Sequence, residues 1–482
     1  MPGFHVEHFG CRAARADGEA VGMRLRAAGF VETEPDTADL VVVNTCSVTS
    51  EADRAARAFI RRAHRLNPSA RLVVTGCYAQ RAPQELAQLP GVRAVVGNSH
   101  KALAPEIALG LLQAAVSDST NLLVQIAPQG AAAAPQGSSG LRLTQAPQGA
   151  AAAPQVLADD RFAHSFLEDA PILPGMQTRP NLKIQEGCSN RCAFCVIPQT
   201  RGPSKSMPTE NILRQIEGFV AAGGRELVLS GINLGRWGRD LGNGNGFRGP
   251  SLAALVRRIL EGTSLDWLRL SSVEPMDWDD ELIALMRAYG GRRLCRHAHL
   301  PLQSGSDAVL RRMFRRYRPW HYTAKVQALI AAAGPDLTIG ADVMVGFPGE
   351  SDSEFEETLA FLQSLPFGYL HLFPFSPRPG TPGWALNAAS PVPAPVVAER
   401  MTRLRALAAE KMLAHRRSFF GRTLPAITLH TPAELASRGR TAALTENFLP
   451  VDLKGGFAAN QMVKVRIASV ADEGGMEAEG NQ

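Results

Sequence analysis

The chain has 482 residues, of which 45% are hydrophobic and 20% are charged, and it carries a formal net charge of +6. This composition is typical of a globular protein of roughly two to four domains. It argues against a membrane protein, because no apolar run reaches about 18 residues. The N-terminal residues lack the order of a signal peptide, so we expect a cytoplasmic protein with reduced thiols. The positive charge permits a nucleic-acid partner without requiring one.

The first domain, predicted over residues 1–115, contains three short β-rich runs that each end in a cysteine. The runs FHVEHFGC, DLVVVNTC and RLVVTGC end in Cys11, Cys46 and Cys77. Helical stretches lie between them, and strand–helix–strand alternation predicts a parallel sheet. Ligands of such sheets gather at the carboxyl ends of the strands, so the three thiols are expected to lie along one edge. The alternative is that they are separate buried core cysteines.

A low-complexity linker is predicted over residues 116–173. The decamer APQGAAAAPQ occurs at 127–136 and again at 146–155. Its Ala, Pro, Gln and Gly residues offer no pattern that could bury an amphipathic face. We therefore expect a disordered or loosely ordered insertion.

The third region, predicted over residues 174–416, repeats the alternation on a larger scale. Six candidate strands alternate with helical patterns, and six βα units form an incomplete version of the eight-unit barrel, whose chemistry lies on the loops after the strands. The candidate strands are NLKIQ, ELVLSGIN, WLRLSSVEP, HAHLPLQ, TIGADVMVGFP and YLHLFPFSP. Polar residues fall at these strand ends: Asn233, Ser271, Ser272, Glu274, Gln303 and Ser304.

The C-terminal region begins after a helix predicted from about Val396 to Leu413. Residues 417–473 contain several short β-rich runs, which predict a small β-barrel. In the run MVKVRIASV, apolar residues alternate with Lys464 and Arg466, a pattern typical of a half-buried strand. The acidic residues 474–482 are expected to form a frayed tail. The predicted fold class is therefore α/β, with a parallel α/β domain, a partial (βα)6 barrel and a small β-barrel.

Three cysteines with the spacing C-x₃-C-x₂-C follow the first strand of the predicted barrel: Cys188, Cys192 and Cys195. Structural zinc normally takes four ligands, and this motif offers three. A 4Fe–4S cubane bound by three thiolates would leave one iron open for a chelating substrate.

This motif, with Phe194 before its third cysteine, resembles that of the radical S-adenosylmethionine (SAM) enzymes. The resemblance implies that Cys188, Cys192 and Cys195 bind a 4Fe–4S cluster and that SAM chelates its open iron. One electron from the cluster then cleaves SAM to a 5′-deoxyadenosyl radical. By the same resemblance, the loops after the strands line the SAM pocket, with contributions from three further residues: Asn233, Ser272 and Glu274.

The whole chain resembles the methylthiotransferases within that superfamily, apart from the linker. Matching stretches are NTCSVT, GCYAQ, CSNRCAFCVIPQTRG, RLSSVEP, HLPLQSGSD, DVMVGFPGE and FPFSPRPGTP. The resemblance implies that Cys11, Cys46 and Cys77 bind a second 4Fe–4S cluster, whose open iron carries the sulfur to be inserted. The C-terminal stretches TENFLPVDL and NQMVKVRI resemble the TRAM domain, an RNA-binding module.

The resemblance implies tRNA as the partner, a reductant such as flavodoxin or ferredoxin, and no membrane; it does not identify the sulfur donor. QTRGPSKSMP and GINLGRWGRDL favour the branch that adds methylthio to carbon 2 of threonylcarbamoyl-adenosine next to the anticodon. Methylthiotransferases that act on isopentenyl-adenosine or on a ribosomal protein are the alternatives. A non-catalytic iron–sulfur electron-transfer protein is a further alternative.

Ala14, Cys295 and the run 311–325 lie outside the motifs described above. Ala14 stands where the family usually has Asn, which puts the shell around the second cluster in doubt. Cys295 is interpreted as a small core hydrophobe. The run 311–325 combines cationic and aromatic residues, which suits either nucleic-acid binding or a solvated helix that buries its aromatic face.

Overall fold

The computed structural model describes residues 2–116, 122–126, 141–145, 153–165, 178–242 and 249–481. The chain divides into two compact units. The first comprises Met1–Ala170 and Val196–Pro203, and the second comprises Pro171–Cys195 and Ser204–Gln482. Within the described ranges, no helix is both long and apolar enough to cross a bilayer.

The first unit is a parallel sheet with helices on both faces. Its strands are β1 (Gly3–His8), β2 (Val31–Glu32), β3 (Leu40–Thr45), β4 (Arg71–Gly76), β5 (Val92–Gly97) and β8 (Gln155–Leu157), and β6 (Leu122–Ile126) pairs separately with β7 (Leu141–Gln145). Its helices are α1 (Arg12–Ala27), α2 (Ser50–Leu66), α3 (Cys77–Arg81), α4 (Pro83–Ala87), α5 (Ala104–Val116) and α6 (Ile197–Arg201).

The strand order of this sheet is β2-β1-β3-β4-β5-β8, and every neighbouring pair is parallel. Side chains alternate between the two faces of a strand. Val41 and Val43 therefore pack with Ile60 of α2 on one face, whereas Leu40 and Val42 pack with the α1 side of the sheet on the other. This arrangement confirms the parallel α/β sheet expected from the sequence.

The residues predicted to form a linker, 116–173, include strands of the structure. The first decamer repeat and most of the second lie outside the described residues. Strand β8 pairs in parallel with β5 and so extends the sheet of the first unit. The prediction of a disordered or loosely ordered insertion is therefore wrong for residues 155–157. The edge of β5 provides backbone hydrogen-bond partners for these residues.

The second unit begins with alternating strands and helices. Its strands are β9 (Asn181–Glu186), β10 (Lys205–Ser206), β11 (Glu226–Gly231), β12 (Trp267–Leu270), β13 (His297–His299), β14 (Thr338–Val345) and β15 (Tyr369–Pro374). Its helices are α7 (Thr209–Ala221), α8 (Leu252–Gly262), α9 (Asp280–Tyr289), α10 (Asp307–Arg312), α11 (Pro319–Ala333), α12 (Asp352–Ser364), α13 (Pro382–Ala389) and α14 (Ala394–Arg417).

Six parallel strands of this unit lie in chain order. The sheets β10-β9-β11-β12 and β13-β14-β15 are joined by parallel bridges between Leu268 and Leu294 and between Ser272 and His299. Strand β10 is the exception, because it runs antiparallel to β9. The arrangement confirms a partial (βα)6 barrel.

The chain ends in a closed β-barrel with the order β16-β17-β18-β20-β19. Its elements are β16 (Thr423–Thr428), α15 (Ala433–Ser437), β17 (Arg440–Thr445), β18 (Pro450–Lys454), β19 (Met462–Val470) and β20 (Met476–Asn481). The residues expected to form a frayed tail supply β20, which pairs with both β18 and β19. That expectation was wrong because these residues satisfy two strand edges that would otherwise be open.

The turn after β17 binds this small barrel to the amino-terminal side of the core strands. Glu446, which is fully buried, accepts hydrogen bonds from the backbone N–H (2.9 Å) and Nε (2.7 Å) of Arg296. The ring of Phe448 stacks on His297, with centroids 4.2 Å apart. Cys295 is buried in a cluster with Trp267 and with Ile427 of β16, which agrees with its interpretation as a core residue.

Candidate metal centres

The cysteines of the first unit follow three adjacent strands. Cys11 comes after β1, Cys46 after β3 and Cys77 after β4, and these strands are neighbours in the sheet. Their carboxyl ends therefore bring the three thiols to one edge, as the sequence predicted. Cys11 is exposed, while Cys46 and Cys77 are buried.

Two glycines allow these turns to approach each other. Gly10 has φ +111°, and a Cβ at that position would lie 2.6 Å from the Cβ of Cys46. Gly76 has φ +100°, and a Cβ there would lie 2.2 Å from the carbonyl oxygen of Thr45. Positive φ and close backbone contact both favour glycine. The geometry of this edge therefore requires the glycine that precedes Cys11 and the glycine that precedes Cys77.

The thiol of Cys77 accepts hydrogen bonds from two side chains. Asn98 Nδ2 lies 3.4 Å and Arg201 Nε lies 3.2 Å from its Sγ atom. Arg201 is buried and also contacts Asp17, which in turn pairs with buried Lys101. Hydrogen bonds to sulfur are among the factors that tune iron–sulfur clusters. Sequence reasoning missed these donors because no local pattern connects them to Cys77.

Cys46 has an environment that disfavours an isolated thiolate. Burial, together with the neighbouring thiols of Cys77 and Cys11, raises the pKa of Cys46 to about 12. A bound metal reverses this preference, because coordination deprotonates a thiol outright. The backbone N–H of Val48 lies 3.5 Å from Cys46 Sγ and would stabilise the thiolate form. Burial outweighs this hydrogen bond, so the metal-free thiol of Cys46 stays protonated near neutral pH.

Ala14 is buried in the first turn of α1, close to this edge. The side-chain amide of Asn44, the next-to-last residue of β3, donates to the carbonyl oxygen of Ala14. The side-chain amide of Asn44, which belongs to β3, thus lies beside position 14 of α1.

The second triad lies on the loop after β9, the first strand of the partial barrel. Gln185 fixes this loop: its Nε2 lies 2.8 Å from the carbonyl of Glu186 and 2.9 Å from that of Gly187, and its Oε1 accepts from the backbone N–H of Asn233 at 2.7 Å. Gln185 is fully buried. It connects the cysteine loop to the loop after β11, a role that the sequence did not reveal.

The sulfur atoms of this triad also receive hydrogen bonds. Asn233 Nδ2 lies 3.4 Å from Cys188 Sγ, and Arg315 Nη1 lies 3.2 Å from Cys192 Sγ. Arg315 is buried and forms an ion pair with Glu274. Burial raises the pKa of Cys188, as it does for Cys46. The three thiols are partly exposed, so one side of the triad stays accessible.

In the described structure, neither triad has all three Sγ atoms within 4.8 Å of one another. The sulfur–sulfur edge of a tetrahedral zinc site is about 3.8 Å, given a Zn–S bond of about 2.3 Å. At least one sulfur–sulfur distance in each triad is therefore longer than the edge of a tetrahedral zinc site.

The residues predicted for the SAM pocket lie in different environments. Asn233 is buried, and its Oδ1 has no hydrogen-bond partner among the described residues. Glu274 is partly buried and is held by Arg315, whereas Ser272 is exposed. The structure thus places Asn233 directly against the cysteine triad and connects Glu274 to it through Arg315. The other strand-end residues, Ser271, Gln303 and Ser304, are buried.

The run 311–325 buries some of its aromatic rings and exposes others. Tyr317 and Tyr322 are buried, whereas Phe314 and Trp320 are 55% and 57% exposed. Most of its arginines form ion pairs with acidic residues: Arg311, Arg312, Arg315 and Arg318. Much of the charge is therefore neutralised locally, and the two exposed aromatic rings remain accessible.

In the C-terminal barrel, β19 alternates as its sequence predicted. Val465 and Ile467 are buried, and Lys464 and Arg466 are exposed. Both cations therefore lie on the outer face of the barrel. In the strand register, Arg466 lies opposite Glu479 of β20.

Comparison with known proteins is consistent with this architecture. Residues 3–97 match the uncharacterized protein family UPF0004, and residues 182–362 match the radical SAM superfamily. The chain is 33% identical to the threonylcarbamoyladenosine tRNA methylthiotransferase MtaB of Bacillus subtilis, over 96% of this chain and 93% of that protein. It is 32% identical to MtaB of Aquifex aeolicus, over 96% of this chain and 99% of that protein.

This chain belongs to the radical SAM methylthiotransferase family. It is also 32% identical to the tRNA-2-methylthio-N(6)-dimethylallyladenosine synthase of Sorangium cellulosum, over 92% of this chain and 85% of that protein. Membership of the family makes the protein a transferase that uses SAM and a 4Fe–4S cluster. The accessible triad of Cys188, Cys192 and Cys195, with donors to two of its sulfurs, fits such a cluster.

Proposed function

We propose that the protein adds a methylthio group to carbon 2 of threonylcarbamoyl-adenosine next to the anticodon of tRNA, and that it uses two 4Fe–4S clusters. The observation that carries the proposal is the presence of two cysteine triads, one at the carboxyl ends of β1, β3 and β4 and the other on the loop after β9. In each triad an arginine and an amide donate to the sulfurs. The relatives named for threonylcarbamoyladenosine support the choice of substrate.

The triads have different roles in this proposal. Cys188, Cys192 and Cys195 would hold the cluster that supplies the electron for cleavage of SAM. Cys11, Cys46 and Cys77 would hold a second cluster, which would supply the sulfur to be inserted.

The side chains around the SAM cluster would bind and orient the cofactor. The free Oδ1 of buried Asn233 suits a donor such as the amino group of SAM. Ser272 and Glu274 follow β12 and would line the same pocket. Arg315 keeps Glu274 in place while it donates to Cys192. A cytoplasmic reductant such as flavodoxin or ferredoxin would supply electrons.

Mass spectrometry of tRNA nucleosides tests the substrate. Cells that lack this gene should accumulate threonylcarbamoyl-adenosine without its methylthio group, and the parent gene should restore the group. A Cys46→Ala gene should not restore it. Loss of methylthio from isopentenyl-adenosine instead would assign the protein to the other tRNA branch. Unchanged tRNA would refute both assignments.

Iron analysis tests the second cluster separately. Anaerobically reconstituted protein should bind about eight iron atoms as two cubanes. Changing Cys188, Cys192 and Cys195 together to Ala should leave about four and abolish formation of 5′-deoxyadenosine. Changing Cys46 or Cys77 to Ala should also leave about four, but 5′-deoxyadenosine should still form while methylthio transfer is lost. An iron content near four in the parent protein would contradict the proposal.

A further inference from the structure

Three potential metal ligands lie on neighbouring strands of the partial barrel, and none of them is a cysteine. His299 ends β13, Asp342 lies within β14 and His371 lies within β15. In the strand register, Asp342 is directly opposite His371. One nitrogen of each histidine and one carboxylate oxygen all lie within 4.8 Å of one another.

The distances within this group resemble those between ligands of one ion. His299 Nε2 lies 3.1 Å from Asp342 Oδ2, and His371 Nδ1 lies 3.3 Å from Asp342 Oδ1. Adjacent ligand atoms of an octahedral ion are about 3.0 Å apart when each bond is about 2.1 Å. The side chains therefore need little movement to share one cation.

The burial and hydrogen bonding of His299 also indicate a cation at this position. It is 5% exposed, and its Nε2 has no hydrogen bond of acceptable geometry among the described residues, although the carboxylate is close. The other ring nitrogen, Nδ1, lies 3.0 Å from the hydroxyl of Tyr369. If Nδ1–H donates to that hydroxyl, the lone pair of Nε2 faces the carboxylate oxygen. Two acceptors so close together are favourable only when a cation or a proton lies between them.

We propose that His299, Asp342 and His371 bind a divalent transition-metal ion of the Mn²⁺, Fe²⁺ or Zn²⁺ type. Two imidazoles and one carboxylate are a ligand set that such ions prefer and that leaves further coordination positions open. Tyr369 acts as the outer partner that orients a ligating histidine. The side chain of His371 is 62% exposed, so water or an oxygen ligand can reach the open positions.

Titration with Mn²⁺, followed by electron paramagnetic resonance, tests this site. The full-length protein is used with both cysteine sites reconstituted and oxidised, because 4Fe–4S clusters are then diamagnetic and do not obscure Mn²⁺. We expect saturation at one bound ion per chain and electron spin-echo modulation from imidazole nitrogen. Absence of a saturable ion, or a saturable ion without nitrogen coupling, would overturn the proposal.

Variants identify the ligands. His371→Ala and Asp342→Asn should each weaken Mn²⁺ binding at least about tenfold, and Tyr369→Phe should weaken it while the nitrogen coupling remains. His371 is exposed, so its loss should not disturb folding, which circular dichroism and unchanged cluster iron would verify. The exposed His430→Ala is the matched control and should bind like the parent. Equal affinity in His371→Ala, Asp342→Asn and the parent would show that the ion binds elsewhere and would overturn the proposal.

Discussion

At the scale of single residues, the two cysteine triads have the same kinds of hydrogen-bond donors. In each of them a buried arginine and an asparagine donate to the sulfurs: Arg201 and Asn98 in the first unit, and Arg315 and Asn233 in the second. A positive donor stabilises electron density on a thiolate ligand. It therefore favours the reduced form of a cluster.

Arg315→Gln should make the cluster that we propose at Cys188, Cys192 and Cys195 harder to reduce. The change removes the charged donor to Cys192, so we expect the midpoint potential to fall by an amount on the order of tens of millivolts. The formation of 5′-deoxyadenosine with a weak reductant should slow accordingly. Redox titration followed by electron paramagnetic resonance measures the shift directly.

Arg312→Gln is the control for this prediction, because within the described residues Arg312 donates to Glu354 and Gly349 and not to a sulfur atom. The control variant should keep the potential of the parent. Equal potentials in Arg315→Gln and the parent would show that this arginine only supports the structure.

At the scale of structural elements, the junction between β4 and α3 determines where Cys77 lies. Gly76 caps α3 with φ 100° and ψ −163°, a conformation that residues with a side chain rarely adopt. The turn must also pass close to Thr45 at the end of β3. Glycine at this junction therefore allows two strand ends to bring their cysteines together.

Gly76→Ala should selectively impair the cluster that we propose at Cys11, Cys46 and Cys77. The backbone strain alone costs about 1–3 kcal/mol, and the added methyl group would collide with the backbone at Thr45. We expect the iron content to fall from about eight toward about four atoms while 5′-deoxyadenosine still forms. Gly29→Ala is the matched control, since Gly29 also has positive φ (+88°) but has no atom within 4 Å of the added Cβ. Full iron content in Gly76→Ala would contradict this account.

The partly buried histidine of α14, His415, should make the stability of the protein depend on pH. Burial, with a smaller contribution from the neighbouring charge of Arg416, lowers the pKa of His415 in α14 to about 4. The folded state therefore keeps this histidine neutral, whereas the unfolded state binds a proton below about pH 6.5. The resulting stability is present above pH 6.5 and is lost as the pH falls toward 4.

Acidification from pH 7.5 to 5.5 should therefore destabilise the parent by about 1 kcal/mol more than His415→Gln. Urea unfolding of both proteins at the two pH values measures this difference. His430→Ala should behave like the parent, because His430 is exposed. An identical pH dependence for His415→Gln and the parent would mean that this histidine does not contribute.

At the scale of the whole molecule, the C-terminal barrel is an integral part of the second unit. Its turn at Glu446 and Phe448 contacts residues that precede or begin β13, at the amino-terminal side of the core strands. The strand β19 presents Lys464 and Arg466 on the outer face. The turn therefore holds the barrel in place, while both cations lie on its outer face.

Changing both Lys464 and Arg466 to Ala should weaken tRNA binding and leave SAM cleavage unchanged. Each phosphate contact that is lost should reduce the slope of log affinity against log salt by roughly one unit. Filter binding or anisotropy across a salt titration measures this slope. Alanine at both Arg257 and Arg258 of α8 removes the same charge from another exposed surface and serves as the control. Equal affinity and slope in the Lys464/Arg466 variant and the parent would contradict the predicted role.

The sequence alone determined the features that depend on local pattern. Alternating and helical periodicities predicted the parallel sheet and the six-stranded partial barrel. Cys46 and Cys77 could be placed at strand ends because they directly follow β3 and β4, and Cys11 and Cys188 come soon after β1 and β9. The tertiary structure decided which distant side chains meet. Arg201 reaches Cys77 across 124 positions, and Arg315 reaches Cys192 across 123. Strand order and register also bring Asp342 opposite His371 and pair the C-terminal residues as β20. No local sequence period encodes such long-range contacts.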